Sequence, residues 1–138
     1  MDKLTRFAAK SAQRKPWHEL FFIEDLDSKL TEEMAGSYAL PLEGVRLAPS
    51  GSNSQPWRII RERDDEVYHF YYTGSKKGYD DTTHEFKYGL LQNINLGIGM
   101  SHFQLIAEDI GLTGEWQVLP NSKNIDKLTY VASWVGSE

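Results

Sequence analysis

Residues 46–57 read Arg46-Leu47-Ala48-Pro49-Ser50-Gly51-Ser52-Asn53-Ser54-Gln55-Pro56-Trp57. Two prolines bracket a run of small and amide side chains, a composition that core packing does not explain. An apolar helical pattern leads in, and an apolar alternating pattern leads out. The stretch is therefore a loop held between two packed elements and rich in hydrogen-bonding groups. Ligand sites are commonly built this way. The same residues also suit a plain helix-to-strand connection in which Ser and Asn bond their own backbone. Chemistry alone favours the plain connection slightly. A planar heteroaromatic ligand, if one sits there, would find Pro49 and the backbone near Ser50 for its face. Ser50 and Ser52 would offer hydroxyl or N–H groups, and Asn53 and Gln55 amides that both donate and accept.

Outward from the loop the pattern is legible on both sides. The lead-in helix covers Ala39 to Leu47, with Pro41 in its first turn and Leu42, Val45 and Leu47 apolar. Before it, Thr31 is a candidate N-cap with Glu32 and Glu33 in the first turn. Glu24 to Lys29 is charged and reads as loop, and His18 to Phe22 as a short strand or turn. A short helical pattern spans Met1 to Arg14 and stops at Arg14-Lys15-Pro16, because a residue before proline is pushed out of the helical region. On the other side, Trp57–Arg63 and Glu66–Thr73 alternate as two strands of a hairpin turning at Asp64-Asp65. Both faces of the second strand are aromatic, which predicts an interior strand covered on both sides.

Residues 74–83 are loop by composition. Glu85 to Gly111 is the longest periodic segment, with Tyr88, Leu91, Ile94, Ile98, Phe103, Ile106 and Ile110 at helical spacing. Gly89, Gly97 and Gly99 each cost this helix about 1 kcal/mol relative to alanine, so they imply either close approach by a neighbour or a kink. Gly114–Leu119 and Leu128–Val135 read as strands around a polar turn at residues 121–124. The fold class is α+β: a mainly antiparallel sheet packed with a long central helix, in one domain over residues 1–138.

Composition excludes several functions. The chain of 138 residues carries a net charge of −5, so nothing in its balance favours nucleic acid. There is no cysteine, hence no disulfide, thiolate metal site or cysteine nucleophile. No apolar run reaches membrane-spanning length, and the first residues lack the apolar core of a signal peptide; a cytoplasmic location without membrane contact is the default expectation. His18, His69, His84 and His102 show no metal-ligand spacing, and no metal is expected. No GxSxG elbow is present, and Gly97-Ile98-Gly99 lacks the third glycine of a dinucleotide fingerprint.

The literal string Ala48-Pro49-Ser50-Gly51-Ser52-Asn53-Ser54-Gln55-Pro56-Trp57 resembles the loop of the nitroreductase-like FMN flavoproteins, roughly A-P-S-x-x-N-x-Q-P-W before a strand. The order of elements resembles the second half of a two-part nitroreductase subgroup. Arg14-Lys15-Pro16-Trp17-His18-Glu19-Leu20 looks like the family's short basic segment that reaches the FMN phosphate. The resemblance implies FMN as cofactor, bound by Arg14, Lys15, Pro49, Ser50, Ser52, Asn53 and Gln55. It implies NAD(P)H as electron donor and a nitroaromatic or quinone-like small molecule as acceptor, with no protein acid or nucleophile required. The family's opening R-R-S-x-R-like motif has no counterpart here. Three readings follow: a partial domain of a larger flavoprotein, a compact homologue completed as a homodimer, or a relative that has lost FMN. The alternative to the oxidoreductase is a non-catalytic flavin-binding or interaction module on a nitroreductase-like scaffold. A carrier that stores flavin without turnover is a further alternative. The small residues Gly97, Gly99 and Ser101 mark the candidate pairing surface.

Overall fold

A computed structural model describes residues 12–73, 82–120 and 124–137, with side chains from residue 90 onward on the helix that opens at Thr82. A 3-10 turn at Trp17–Glu19 leads into strand β1 (Phe21–Ile23) and strand β2 (Asp25–Lys29). Helices α1 (Glu32–Ala35) and α2 (Ala39–Leu47) follow, then strands β3 (Trp57–Arg61) and β4 (Val67–Thr73). Helix α3 (Thr82–Asp109) precedes strands β5 (Gly114–Gln117) and β6 (Leu128–Gly136). The six strands form one mixed sheet in the order β2-β1-β3-β4-β6-β5. β1 and β3 run parallel, and the other neighbours are antiparallel. The molecule is α+β, compatible with the fold that the loop's resemblance implies.

Local signals account for most of these elements. Thr31 caps α1, its hydroxyl accepting from the Met34 N–H at 3.1 Å. Helix α2 buries Pro41, Leu42 and Val45 along one side. The hairpin of β3 and β4 pairs Trp57 with Tyr72 and Arg61 with Tyr68. β4 is interior, and Tyr68 to Tyr72 are all buried.

The segment Glu24 to Lys29, expected as loop, supplies edge strand β2 instead. Its charges suit an edge, where they discourage pairing with another chain. Glu24 makes the reversal, with φ of 67°. Lys29 is set opposite Phe22 in the register, its ammonium 4.5 Å from the ring centroid. The helix expected over Met1–Arg14 lies outside the described residues apart from residues 12–14, which are turn and irregular chain. The loop expected at 74–83 and the turn at 121–124 also lie mostly outside them.

The main core lies between the sheet and the helices. Trp57, Tyr68, Phe70, Phe103 and Trp134 are its largest members. Phe103 meets Phe70 edge-on at 5.3 Å and Trp134 at 5.6 Å, an arrangement that ring quadrupoles favour. The Trp134 indole donates to the Tyr38 hydroxyl at 3.0 Å, tying β6 to the turn before α2. The other sheet face carries a smaller cluster of Phe22, Ile60 and Tyr71, flanked by Leu128 and Tyr130. Burial there pushes the Tyr71 hydroxyl up to about 12.

Helix α3 packs chiefly on α2 and touches β3 and β4, so it lies to one side of the sheet. Its inward face differs from the one the apolar spacing indicated. Gln92, Asn95, Leu96, Gly99, Phe103 and Ala107 are buried, whereas Leu91, Ile94 and Ile110 are exposed. The helix is apolar on more than one side, and periodicity alone does not choose between them. A Cβ on Gly99 would meet the Trp57 ring at 3.1 Å and Val45 at 3.5 Å. Close approach therefore accounts for Gly99. Gly97 is exposed, with nothing within 4 Å of such a Cβ. Gly99→Val is accordingly expected to lose about 2 kcal/mol by overpacking. Gly97→Ala is expected to gain about 1 kcal/mol from helix propensity. Urea unfolding of both variants checks the contrast, and equal effects would contradict this packing.

Candidate functional site

The loop after α2 is held in a conformation its own residues do not favour. Ala48 leaves the helix in an extended conformation and is fully buried. Ser50 is extended, and Gly51–Asn53 then make one 3-10 turn. Ser52, Asn53 and Gln55 take positive φ of 52°, 54° and 47°. Left-handed backbone costs a non-glycine residue of order 1–3 kcal/mol, and asparagine tolerates it best. Three such residues in four positions need bonds from outside the loop to hold them.

Those bonds are visible. The Ser50 hydroxyl oxygen accepts from the Gln55 N–H at 2.9 Å and closes the loop on itself. Gln55 is 5% exposed, and both ends of its amide are engaged. Its Oε1 accepts from the Lys15 N–H at 2.6 Å, and its Nε2 donates to the Asn53 carbonyl at 3.1 Å. Asn53 donates through Nδ2 to the Gln13 carbonyl at 2.7 Å. Its Oδ1 accepts from Arg14 Nη1 at 3.3 Å, while Arg14 Nε reaches the Leu47 carbonyl at 3.3 Å. Arg46 donates to the Lys15 carbonyl at 3.4 Å and is paired with Glu43, whose carboxylate raises the guanidinium above its ordinary pKa. The segment 13–15, far away in sequence, is thus laid directly on the loop.

The seven candidate residues therefore share one neighbourhood. Arg14, Asn53 and Gln55 are joined by side-chain bonds, and Lys15 joins them through its backbone. Pro49, Gly51, Ser52 and Ser54 are exposed along the loop's outer surface. The amides of Asn53 and Gln55, which the spacing offered to a ligand's edge, are bonded to the chain's own backbone. The polar side chains at the loop's surface are those of Ser52 and Ser54.

The sequence of a family described as "Putative TM nitroreductase" is matched by residues 2–107. The chain belongs to this nitroreductase family. Membership carries an oxidoreductase-like role. No curated protein and no solved structure matches the chain. The matched span includes segment 13–15, the whole polar loop and most of α3, and ends before β5.

Two groups around the polar loop carry no signal in the sequence that marks them for it. Asn95 on α3 accepts from the Gly51 N–H at 3.0 Å. Arg58 donates to the carbonyls of Gln55 at 3.0 Å and Trp57 at 2.7 Å, and its burial lowers the guanidinium from its ordinary value. An amide on the buried face of a helix is a sequence signal in principle, but it requires knowing which face is buried. Arg58 reads simply as the polar position of an alternating strand.

A second polar cluster lies across the sheet, beside a cleft of about 500 Å³ lined by Glu24, Arg61, Glu62 and His69 among others. His69 bonds Ser133 Oγ at 2.6 Å through Nδ1 and Glu62 at 3.0 Å through Nε2. Ser133 in turn meets the Tyr130 hydroxyl at 2.6 Å. The order Ser-His-Glu superficially resembles a hydrolase triad, but Ser133 is fully buried and no substrate carbonyl can reach it. The arrangement ties the β3–β4 turn to β6. Among the described residues, no group of three His, Asp or Glu side chains could hold a metal ion. Nor is any helix among them long and apolar enough to cross a membrane.

Replacing Gln55 by leucine would orphan the Lys15 N–H and the Asn53 carbonyl together. A stability loss of about 2–3 kcal/mol is expected in urea unfolding, in keeping with the cost of unsatisfied buried groups. A loss below about 0.5 kcal/mol would show that this junction does not hold the loop.

Proposed function

We propose that this nitroreductase-family chain is an FMN-dependent oxidoreductase whose cofactor lies along the outer surface of residues 49–55, beside Arg14 and Lys15. The observation that carries the reading is the convergence of two separate stretches on one strained, exposed loop. Strain of this kind collects at functional sites and ligand clamps. The residues also fit the group chemically. A guanidinium beside serine hydroxyls suits a phosphate and the polar edge of a ring through its charge. Lys15 adds a point charge, and Pro49 offers an apolar surface for a ring face.

FMN, when bound, supplies hydride chemistry from NAD(P)H to a nitroaromatic or quinone-like acceptor. The chain's own work is binding and orientation. Ser50 closes the loop, and Gln55 locks it to Lys15, so the exposed backbone at Ser52 and the Ser52 and Ser54 side chains are held in place before a ligand arrives. Preorganised donors of this kind cost no rearrangement during reaction. Leu91 Cδ1 lies 3.5 Å from the place of a Gly51 Cβ, and Leu91, Leu90, Ile94 and Leu47 are exposed. In this reading the apolar border is covered by a second copy of the chain or by the other half of a two-part protein, which completes the site.

One observation favours a second reading. Asn53 and Gln55 spend their amides within the chain, as they would in a non-catalytic module that keeps the loop only as structure. The visible absorption spectrum of the purified protein, taken after FMN addition and desalting, separates the two. A retained flavin band, diminished at least tenfold in Asn53→Ala/Gln55→Ala, together with NADH or NADPH oxidation, supports the oxidoreductase. A retained band without turnover indicates a flavin carrier. Folded, colourless protein that holds no FMN would overturn the proposal in favour of the module.

A further inference from the structure

Helix α3 places two amides where its neighbours on the same face are Leu96, Gly99, Phe103 and Ala107. Asn95 is 1% exposed and Gln92 6% exposed. Burying an amide is unfavourable unless it is hydrogen-bonded, and asparagine is a poorer helix former than the leucine that would fill the space. Neither residue is therefore explained by the helix itself. One of their bonds joins them to each other and the other leads away from the helix. Asn95 Nδ2 donates to Gln92 Oε1 at 3.1 Å, which fixes the orientation of the Asn95 amide. Asn95 Oδ1 is thereby turned outward and accepts from the Gly51 N–H at 3.0 Å.

Gly51 opens the 3-10 turn, so its N–H has no partner inside that turn. The residues after it are Ser52 and Asn53, both in left-handed conformations. Segment 13–15 grips the loop at Asn53 and Gln55, at its far end. Asn95 grips it at Gly51, at its near end. Strained Ser52 lies between these two anchors, one from helix α3 and one from segment 13–15, and strained Asn53 and Gln55 carry the second.

We propose that Asn95, oriented by Gln92, is a positioning residue that sets the register in which the loop presents its N–H and hydroxyl groups. This inference deepens the FMN-site reading and rests on it for its functional consequence. The geometric part, that Asn95 holds Gly51, stands separately. It assigns the two buried amides to the site although neither faces a ligand.

The test uses the whole chain and two readouts: hydrogen exchange of the Gly51 amide, and FMN affinity by fluorescence titration. In Asn95→Leu the Gly51 amide is expected to exchange at least about tenfold faster, and the FMN Kd to rise about tenfold, each the equivalent of one lost hydrogen bond. Should Asn95→Leu fail to fold, Gln92→Met releases the Asn95 amide and is expected to move both readouts in the same direction. Wild-type Gly51 exchange in Asn95→Leu or Gln92→Met would overturn the proposal. So would faster exchange with unchanged FMN affinity. If the wild-type chain binds no FMN, the oxidoreductase reading fails and the positioning of the flavin fails with it, whereas Gly51 exchange still decides whether Asn95 holds the loop.

Discussion

The amide of Gln55 is the joint on which the site depends. It is buried, and it couples a backbone N–H from residue 15 to a backbone carbonyl from residue 53. Without it the loop has no reason to hold Asn53 and Gln55 itself in left-handed conformations. The loop's shape is thus a tertiary property, imposed by a distant segment. A conformation fixed from outside is also preorganised, because its cost is met on folding instead of on binding.

The scaffold beneath explains why such a loop can be held so firmly. β3 begins two residues after Gln55, and its first residue, Trp57, is fully buried against Gly99 of α3. The Pro56 carbonyl accepts from the Thr73 N–H at 2.8 Å, so the exit from the loop is already part of the sheet. At the entrance, Ala48 is buried and its N–H bonds the Val45 carbonyl at 3.0 Å. Only the residues between are free of the core. A rigid helix and a rigid strand delivering a short exposed loop is the usual division of labour between scaffold and site.

Much of this was legible because it is local. The Thr31 cap, the span of α2 and the β3–β4 hairpin follow from residues that are neighbours in sequence. The loop itself stood out because its composition has no use in a core. The illegible parts are those decided by contacts across the chain. β2 was hidden because charged residues at a sheet edge look like a loop until the neighbouring strand is known. The inward face of α3 differs from the one its apolar spacing predicts, because Leu91 and Ile94 are apolar yet exposed and the buried positions include two amides. The bond between Lys15 and Gln55 spans 40 residues, and no spacing rule reaches that far. What the sequence could provide was the resemblance that grouped the two stretches; the geometry supplies the reason they belong together.

The central claim is that the surface built by residues 49–55 and segment 14–15 binds FMN. Titration of isotope-labelled protein with FMN, followed by amide chemical shifts, tests it most directly. The account predicts saturable shifts centred on Lys15, Gly51, Ser52, Asn53 and Ser54, with the amides around His69 and Glu62 unmoved. Shifts confined to the cleft beside His69, or none at any of these amides at saturating FMN, would contradict it.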